Sequence, residues 1–263
     1  MSKPSLAVIK IGGNIIDDEQ KLKSFLASLA ALPGARILVH GGGKLATRLA
    51  AELNLPQQMI EGRRVTDAET LKIVTMVYAG AINKNIVAQL QANGCSAIGI
   101  SGADGNAILA RKRAHPSIDY GFVGDVETVN GPFFNNLLQQ GLLPVVAPIT
   151  HDGKGQLLNT NADTIAQEIA RALGAEYDVQ LVYSFEKAGV LLDANDEGSV
   201  IPRIDKNYYR QLKDEQKVFA GMIPKLDNAF AALDSGVGRV IIGKAEELHQ
   251  IMSGETGTAI IPG

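Results

Sequence analysis

Two lysines stand where an ammonium group is costly. Lys10 interrupts the apolar run Val8-Ile9-Lys10-Ile11, directly before Gly12-Gly13. Burying a charge in such a strand is unfavourable unless an anion or a carboxylate meets it. Lys225 closes Gly221-Met222-Ile223-Pro224-Lys225 and falls in the first turn of a predicted helix, the end at which the helix dipole repels a cation. Between them lies Asn159-Thr160-Asn161-Ala162-Asp163, more polar groups than one helix cap requires. Asp163 could orient nearby lysines and Asn159 could hydrogen-bond a carboxylate. Capping alone, or lysines that reach solvent, is the alternative reading of each.

The glycines add a place for an anion. Ile37-Leu38-Val39-His40-Gly41-Gly42-Gly43-Lys44 is an apolar strand running into three glycines, followed by Leu45, Leu49 and Leu53 at helical spacing. Backbone N–H groups left uncovered at such a helix start attract an anion. The Gly12-Gly13 turn is a shorter copy. Neither has the spacing of a P-loop or of a dinucleotide-binding turn. His40 reads as structural rather than as a base. Glu61-Gly62-Arg63-Arg64-Val65-Thr66 offers an arginine fork suited to a carboxylate, or else two solvated arginines. Two lysines, two glycine turns and an aspartate outside any nucleophile–base pair suit phosphoryl transfer better than hydrolysis. In that reaction the protein mainly positions its substrates and neutralises charge.

The elements that must position these residues alternate. Strands are predicted at 6–11, 36–39, 96–101, 142–147, 179–183, 239–242 and 258–261, and helices at 19–32, 44–53, 132–140, 163–173, 224–233 and 246–252. Thr66-Asp67-Ala68-Glu69 reads as a capping box with Thr66 as the cap, opening a long helix toward Asn93-Gly94. Residues 14–16 read as one arm of a hairpin, 57–65 as a hairpin around Gly62, and 107–129 as short antiparallel strands. This order predicts a mostly parallel sheet covered on both faces, with a soft boundary at 159–163.

Composition excludes several classes. A net charge of −3 gives no polybasic surface for nucleic acid or anionic membrane. The single cysteine, Cys95, leaves no internal disulfide and no cysteine-based metal site. No apolar run approaches a membrane span, and the first strand begins within a few residues, so neither a membrane anchor nor a signal peptide is expected. The expectation is a cytoplasmic globular protein.

In order along the chain, Lys10-Ile-Gly-Gly, Val39-His-Gly-Gly-Gly, Gly62-x-Arg64-Val-Thr, Asn159-x-Asn161-Ala-Asp163 and Gly221-Met-x-x-Lys225 resemble the amino acid kinase family, and within it the acetylglutamate kinases. The resemblance implies an α/β fold, a three-layer αβα sandwich around a mostly parallel, roughly eight-stranded sheet. It implies an acylglutamate-binding and dimerisation lobe at 1–160 and a nucleotide-binding lobe at 161–263. The implied reaction, in arginine biosynthesis, is ATP-dependent phosphorylation of the side-chain carboxylate of N-acetyl-L-glutamate, or another N-acyl-L-glutamate such as the N-succinyl form. Lys10 and Lys225 would stabilise the transferring phosphoryl group, with Asp163 holding both lysines. Gly12, Gly13 and Gly42, with Ser184, would meet the nucleotide phosphates. Gly42, Gly43, Arg64 and Asn159 would meet the acylglutamate. Mg2+ would ride on the ATP phosphates rather than in a protein cage. No general base is needed, because the attacking carboxylate is already ionised near neutral pH.

The chain departs from that pattern once. Acetylglutamate kinases usually carry Thr-Asp-Val-x-Gly-Val where this chain has Tyr183-Ser184-Phe185-Glu186-Lys187-Ala188-Gly189-Val190. With that aspartate gone, ATP is expected to be held differently around 184–187. The acyl group is expected to be read by the loop at 111–125. The resemblance further implies a homodimer. The N-terminal helix that links dimers in arginine-inhibited relatives is expected to be missing, and with it that route of inhibition. Two other readings stay open: a kinase of another small carboxylate or carbamate, and a non-catalytic ligand-binding sensor.

Overall fold

The computed structural model describes residues 2–60, 63–193, 195–215, 217 and 222–262. The chain opens with β1 (Ser5–Ile11), one helical turn α1 (Gly13–Ile16), α2 (Glu19–Ala31), β2 (Ala35–His40) and α3 (Gly43–Glu52). The hairpin β3 (Met59–Ile60) and β4 (Arg63–Arg64) leads into α4 (Ala68–Thr75), a π-helical segment at Met76–Ile82, and α5 (Asn83–Ala92). Next come β5 (Ala97–Ile100), β6 (Ile108–Lys112), β7 (Gly124–Val129), α6 (Gly131–Gln139), β8 (Leu143–Val146), β9 (Ile149–His151) and β10 (Leu157–Asn159). The remainder is α7 (Ala162–Leu173), β11 (Asp178–Phe185), β12 (Arg203–Ile204), α8 (Lys206–Asp214), α9 (Ile223–Asp234), β13 (Arg239–Lys244), α10 (Leu248–Ser253) and β14 (Thr258–Ile260).

Eight strands form the main sheet in the order β12-β14-β13-β11-β1-β2-β8-β5, parallel throughout except where β13 meets β14. A smaller sheet, β10-β9-β6-β7, stands beside it. The expected mostly parallel, roughly eight-stranded α/β sheet is therefore present. Helices cover both faces, which is why β1 is buried at every position after Ser5.

The alternation of a strand decides which face each residue joins. Leu6 and Val8 enter a core with Ile165, Ile169 and Leu226 from α7 and α9, whereas Ala7, Ile9 and Ile11 enter the opposite core with Phe25, Leu26 and Val74. Lys10 shares the parity of Leu6 and Val8, so it points to the face that carries α7 and α9. Tyr183 on the neighbouring β11 shares that core, and Phe185 has the same parity.

Three local expectations are corrected. Residues 14–16 are not a hairpin arm: the Asp17 N–H donates to the Gly13 carbonyl at 2.8 Å, and the turn sends Ile15 into the core. Asp18 then caps α2 at once through the Lys21 N–H at 3.0 Å, leaving no length for a strand. The cap of α4 is Asp67, whose carboxylate accepts the Thr70 N–H at 2.7 Å, rather than Thr66. Thr66 is still extended and buried, because its backbone pairs with the segment around Gly121. The long helix after it is not uniform. The Asn83 N–H reaches back to the Tyr78 carbonyl, five residues earlier, through the π-helical segment.

Candidate active site

The carboxyl ends of β1, β2 and β11 meet at the middle of the main sheet, where the chain leaves β1 toward one side and returns at β11 on the other. A parallel sheet opens a crevice at such a point. Two cavities occupy it and share Gly43 as a wall. The first, of about 420 Å³, is lined by Lys10, Gly12, Gly13, Asp163, Ser184 and Lys225, among others. The second, of about 300 Å³, is lined by Gly42, Arg64, Tyr78, Arg113, Asn159 and Asn228, among others.

In the first cavity Lys10 Nζ lies 2.7 Å from Asp163 Oδ1, with only 10% of the lysine side chain exposed. The aspartate is the second residue of α7. Asn161 caps that helix by accepting the Asp163 and Thr164 N–H groups at 2.8 and 3.1 Å. A helix start favours an anion there, so backbone and lysine hold the carboxylate together. Lys225 occupies the first turn of α9 and faces the same space. Burial and the neighbouring charge of Lys10 hold its pKa below the ordinary lysine value, against the opposing pull of Asp163 and Glu186. Lys44 joins the rim, its ammonium donating to Asn14 Oδ1. Ser184 lines the cavity at the end of β11, its side chain wholly buried.

The glycine turns differ in what they require. Gly42 has a φ of +145°, and a Cβ there would lie 2.2 Å from Ile82 Cδ1 and 3.2 Å from Tyr78 Cδ1. At Gly12, Gly13 and Gly43 a Cβ would find only ordinary contacts with protein atoms, and all three residues face the first cavity. His40 is fully buried beneath the turn. Its Nδ1 donates to the Gly41 carbonyl at 2.8 Å, and its Nε2 accepts from Asn83 Nδ2 at 3.2 Å. Burial pushes its pKa down to about 4. It is a neutral brace between the glycines and α5, as the sequence reading held.

In the second cavity Arg64 donates to the Gly43 carbonyl and to Thr47 Oγ1, each at 2.9 Å, and to Gln57 Oε1. Asn159 Nδ2 donates to Thr66 Oγ1 at 3.0 Å, which leaves its second amide hydrogen free of that contact. Thr66 is held in turn by the Tyr120–Phe122 backbone, and Gly121 leaves no space for a Cβ, which would lie 2.2 Å from the Thr66 carbonyl oxygen. The candidate residues Lys10, Asp163, Lys225, Gly12, Gly13 and Ser184 thus come together in one chamber, and Gly42, Arg64 and Asn159 in the next. Gly62 and Gly221, quoted in the motifs, lie outside the described residues.

Sequence reasoning missed Tyr78, Arg113 and Phe185. Tyr78 lies within the π-helical segment, where burial raises its pKa against the influence of Arg64. Arg113 donates through Nε to Asp125 Oδ1 at 2.9 Å. Phe185 places its ring centroid 3.5 Å from Lys225 Nζ. Arg113 lay inside the loop expected to read the acyl group. Phe185 lay inside the 184–187 segment expected to hold ATP differently, and Tyr78 carries no pattern that separates it from a core aromatic.

Two adjoining chambers, one lined by cations and glycines and the other by an arginine and an asparagine, suit a small-molecule phosphotransferase. The chain belongs to the amino acid kinase family, whose model matches residues 5–244. It is 54% identical to the acetylglutamate kinase of Phocaeicola vulgatus over 94% of this chain and 96% of that one. It is 55% identical to the acetylglutamate kinase of Cytophaga hutchinsonii, over 94% of each. A crystal structure of N-acetylglutamate synthase from Neisseria gonorrhoeae, complexed with coenzyme A and N-acetyl-glutamate, matches with a TM-score of 0.83 at 21% identity. That match covers 99% of this chain and 60% of that chain, and it bears on the fold alone. Among the described residues, no helix is long and apolar enough to cross a membrane.

Proposed function

We propose that this protein transfers the γ-phosphoryl group of Mg-ATP to the side-chain carboxylate of N-acetyl-L-glutamate, a step of arginine biosynthesis. The observation that carries the reading is the pair of chambers meeting at Gly43, with Lys10, Asp163 and Lys225 in one and Arg64 and Asn159 in the other. The names of the close relatives support the same substrate.

The roles follow from charge and place. Arg64 and Asn159 bind the α-carboxylate side of the substrate, which leaves its side-chain carboxylate directed past Gly43 toward the phosphates. A carboxylate oxygen attacks the γ-phosphorus, the bond to the β,γ-bridging oxygen breaks, and an acyl phosphate and ADP result. Lys10 and Lys225 neutralise the charge that spreads over the transferring group, and Asp163 fixes the position of Lys10. The amides of Gly12, Gly13, Gly42 and Gly43 add donors, and Ser184 completes the wall on the nucleotide side. Among the described residues, Asp163 and Glu186 are the carboxylates that line the phosphate chamber, and Asp163 is already engaged by Lys10. That donor set suits magnesium carried by the nucleotide better than a resident ion.

In this reading residues 1–160 bind acylglutamate and 161–263 bind nucleotide. The first lobe supplies β1, β2, β8 and β5 to the main sheet, and the second supplies β11, β13, β14 and β12. The presence of Arg113 and Val123 in the second chamber supports acyl recognition by the 111–125 loop. A homodimer through the long helix after Asp67, where Met76 is 55% exposed, belongs to the same proposal and is tested by light scattering on the purified protein. The decisive experiment traps acyl phosphate with hydroxylamine, using Mg-ATP with free, N-acetyl and N-succinyl glutamate. Turnover with the N-acetyl form supports the proposal, turnover with only another form renames the substrate, and silence with all three overturns it.

A further inference from the structure

The two lysines of the phosphate chamber are held differently. Lys10 is tied to Asp163 at 2.7 Å, whereas among the described residues no carboxylate lies within ion-pair distance of Lys225. The Lys225 ammonium sits 3.5 Å from the centroid of the Phe185 ring, and the Lys10 ammonium lies 5.5 Å from the same centroid. The ring is itself fixed. Phe185 ends β11, packs against the α7–α9 core, and stacks on Tyr183 with centroids 6.3 Å apart and planes 14° apart.

Resting on the phosphoryl-transfer reading, we propose that Phe185 is the positioning residue for Lys225, its ring face holding the ammonium in the chamber without cancelling its charge. An aromatic face attracts a cation through its quadrupole, more strongly where water is excluded. A carboxylate in that place would hold the lysine more firmly. It would also compete with phosphate oxygens for the ammonium and offset the charge the reaction needs. The ring does neither. It also lies beside both cations at once, which tempers their mutual repulsion. This gives the departure at 184–187 a physical role: matched on Gly189-Val190, the pattern Thr-Asp-Val-x-Gly-Val places Glu186 at the aspartate and Phe185 at the threonine, so the aromatic support stands where a threonine is usual.

Among the described residues, the groups that bear on the Lys225 charge are Lys10 from β1, Asp163 from α7, Glu186 and Lys187 beyond β11, and Lys44 from α3. Replacing the ring leaves all of them in place, so a change in Lys225 reports on the ring. The test follows the Lys225 side chain by NMR in unliganded protein with isotope-labelled lysine, its signal assigned through Lys225→Arg. In Phe185→Leu and Phe185→Met, which keep an apolar side chain without a π face, Lys225 should lose its proton about one pH unit lower. The basic limb of kcat should move with it, kcat should fall roughly tenfold, and the acylglutamate KM should stay within about twofold. Phe185→Tyr, which keeps the face, should stay near the parent protein. If the aliphatic variants fail to fold, pentafluorophenylalanine at position 185 keeps the shape and inverts the quadrupole, and the same downward move is expected. Lys225 titrating alike with and without the face overturns the proposal, whatever the activity. Absence of acyl phosphate from the parent protein overturns the assigned reaction, while the titration still decides the role of the ring.

Discussion

Replacing Lys10 by methionine separates what the lysine does for the fold from what it does for the reaction. The substitution keeps most of the apolar stem and deletes the charge that faces Asp163 at 2.7 Å. Leaving one partner of a fully buried pair uncompensated costs about 3–5 kcal/mol. Asp163 retains 20% of its side-chain exposure, and it sits at the start of α7, where the helix dipole favours an anion. Both soften the loss, so Lys10→Met should cost about 2 kcal/mol at neutral pH. For a chain of this size that corresponds to a fall in Tm of about 4–8 °C. Adding Asp163→Asn removes the stranded carboxylate and should recover most of that stability. Turnover should stay at least ~100-fold down in both variants, because the charge proposed to meet the phosphoryl group is gone in each. Urea and thermal unfolding followed by circular dichroism, beside hydroxylamine trapping of product, read the two effects separately. A double variant no more stable than Lys10→Met would refute the ion-pair argument, and one that regains turnover would refute the role given to the lysine.

Arg64→Ala should raise the acylglutamate KM by roughly 10–100-fold, the worth of a charge-assisted contact, with the ATP KM little changed; initial-rate kinetics with each substrate varied would remove Arg64 from the acylglutamate chamber if only ATP were affected. His40 is kept neutral down to about pH 4 in the fold but takes up a proton near 6.5 when unfolded, so its contribution is complete above 6.5 and lost as pH falls toward 4. Between about pH 7.5 and pH 5 the parent should therefore lose about 2 kcal/mol more than His40→Gln in urea unfolding, and equal losses would contradict a buried neutral imidazole. Gly42→Ala forces a Cβ to 2.2 Å from Ile82 Cδ1 at a φ of +145°, and should cost about 3 kcal/mol. Trimming the obstacle with Ile82→Ala should return part of that stability, and no loss in the single variant would mean the turn relaxes freely.

What the sequence disclosed, it disclosed through conflict with local preference. A lysine inside an apolar strand, glycines at strand ends and a lysine at a helix start are each unfavourable alone, and each is at the crevice. What stayed hidden had no such conflict. Tyr78 gives no signal of its own and Phe185 stands out only as part of the altered 184–187 segment, and only the packing shows that one abuts Gly42 and the other Lys225. The capping box at Thr66 had the right residue types, but pairing with the Gly121 segment drew Thr66 out of the helix and left the cap to Asp67. The α8 helix went unread because it buries little beyond Tyr209 and Leu212 on an otherwise polar stretch.

The π-helical segment at Met76–Ile82 gives the chain a place to absorb a change of length beside the crevice. In an α-helix each residue adds about 1.5 Å and about 100° of rotation. Deleting one residue between Tyr78 and Asn83 would turn the hydrogen bond between them into an ordinary four-residue one and leave α5 in nearly the same phase relative to α4. Asn83 would keep its place beside His40 and the Val145 carbonyl, and the loss would fall on the wide turn that brings Tyr78 and Ile82 against Gly42. A single-residue deletion within α4 or α5, where no wide turn can absorb it, shifts the phase of everything after it. Among proteins built to this plan, the lengths of those two helices should therefore be held more strictly than that of the segment between them.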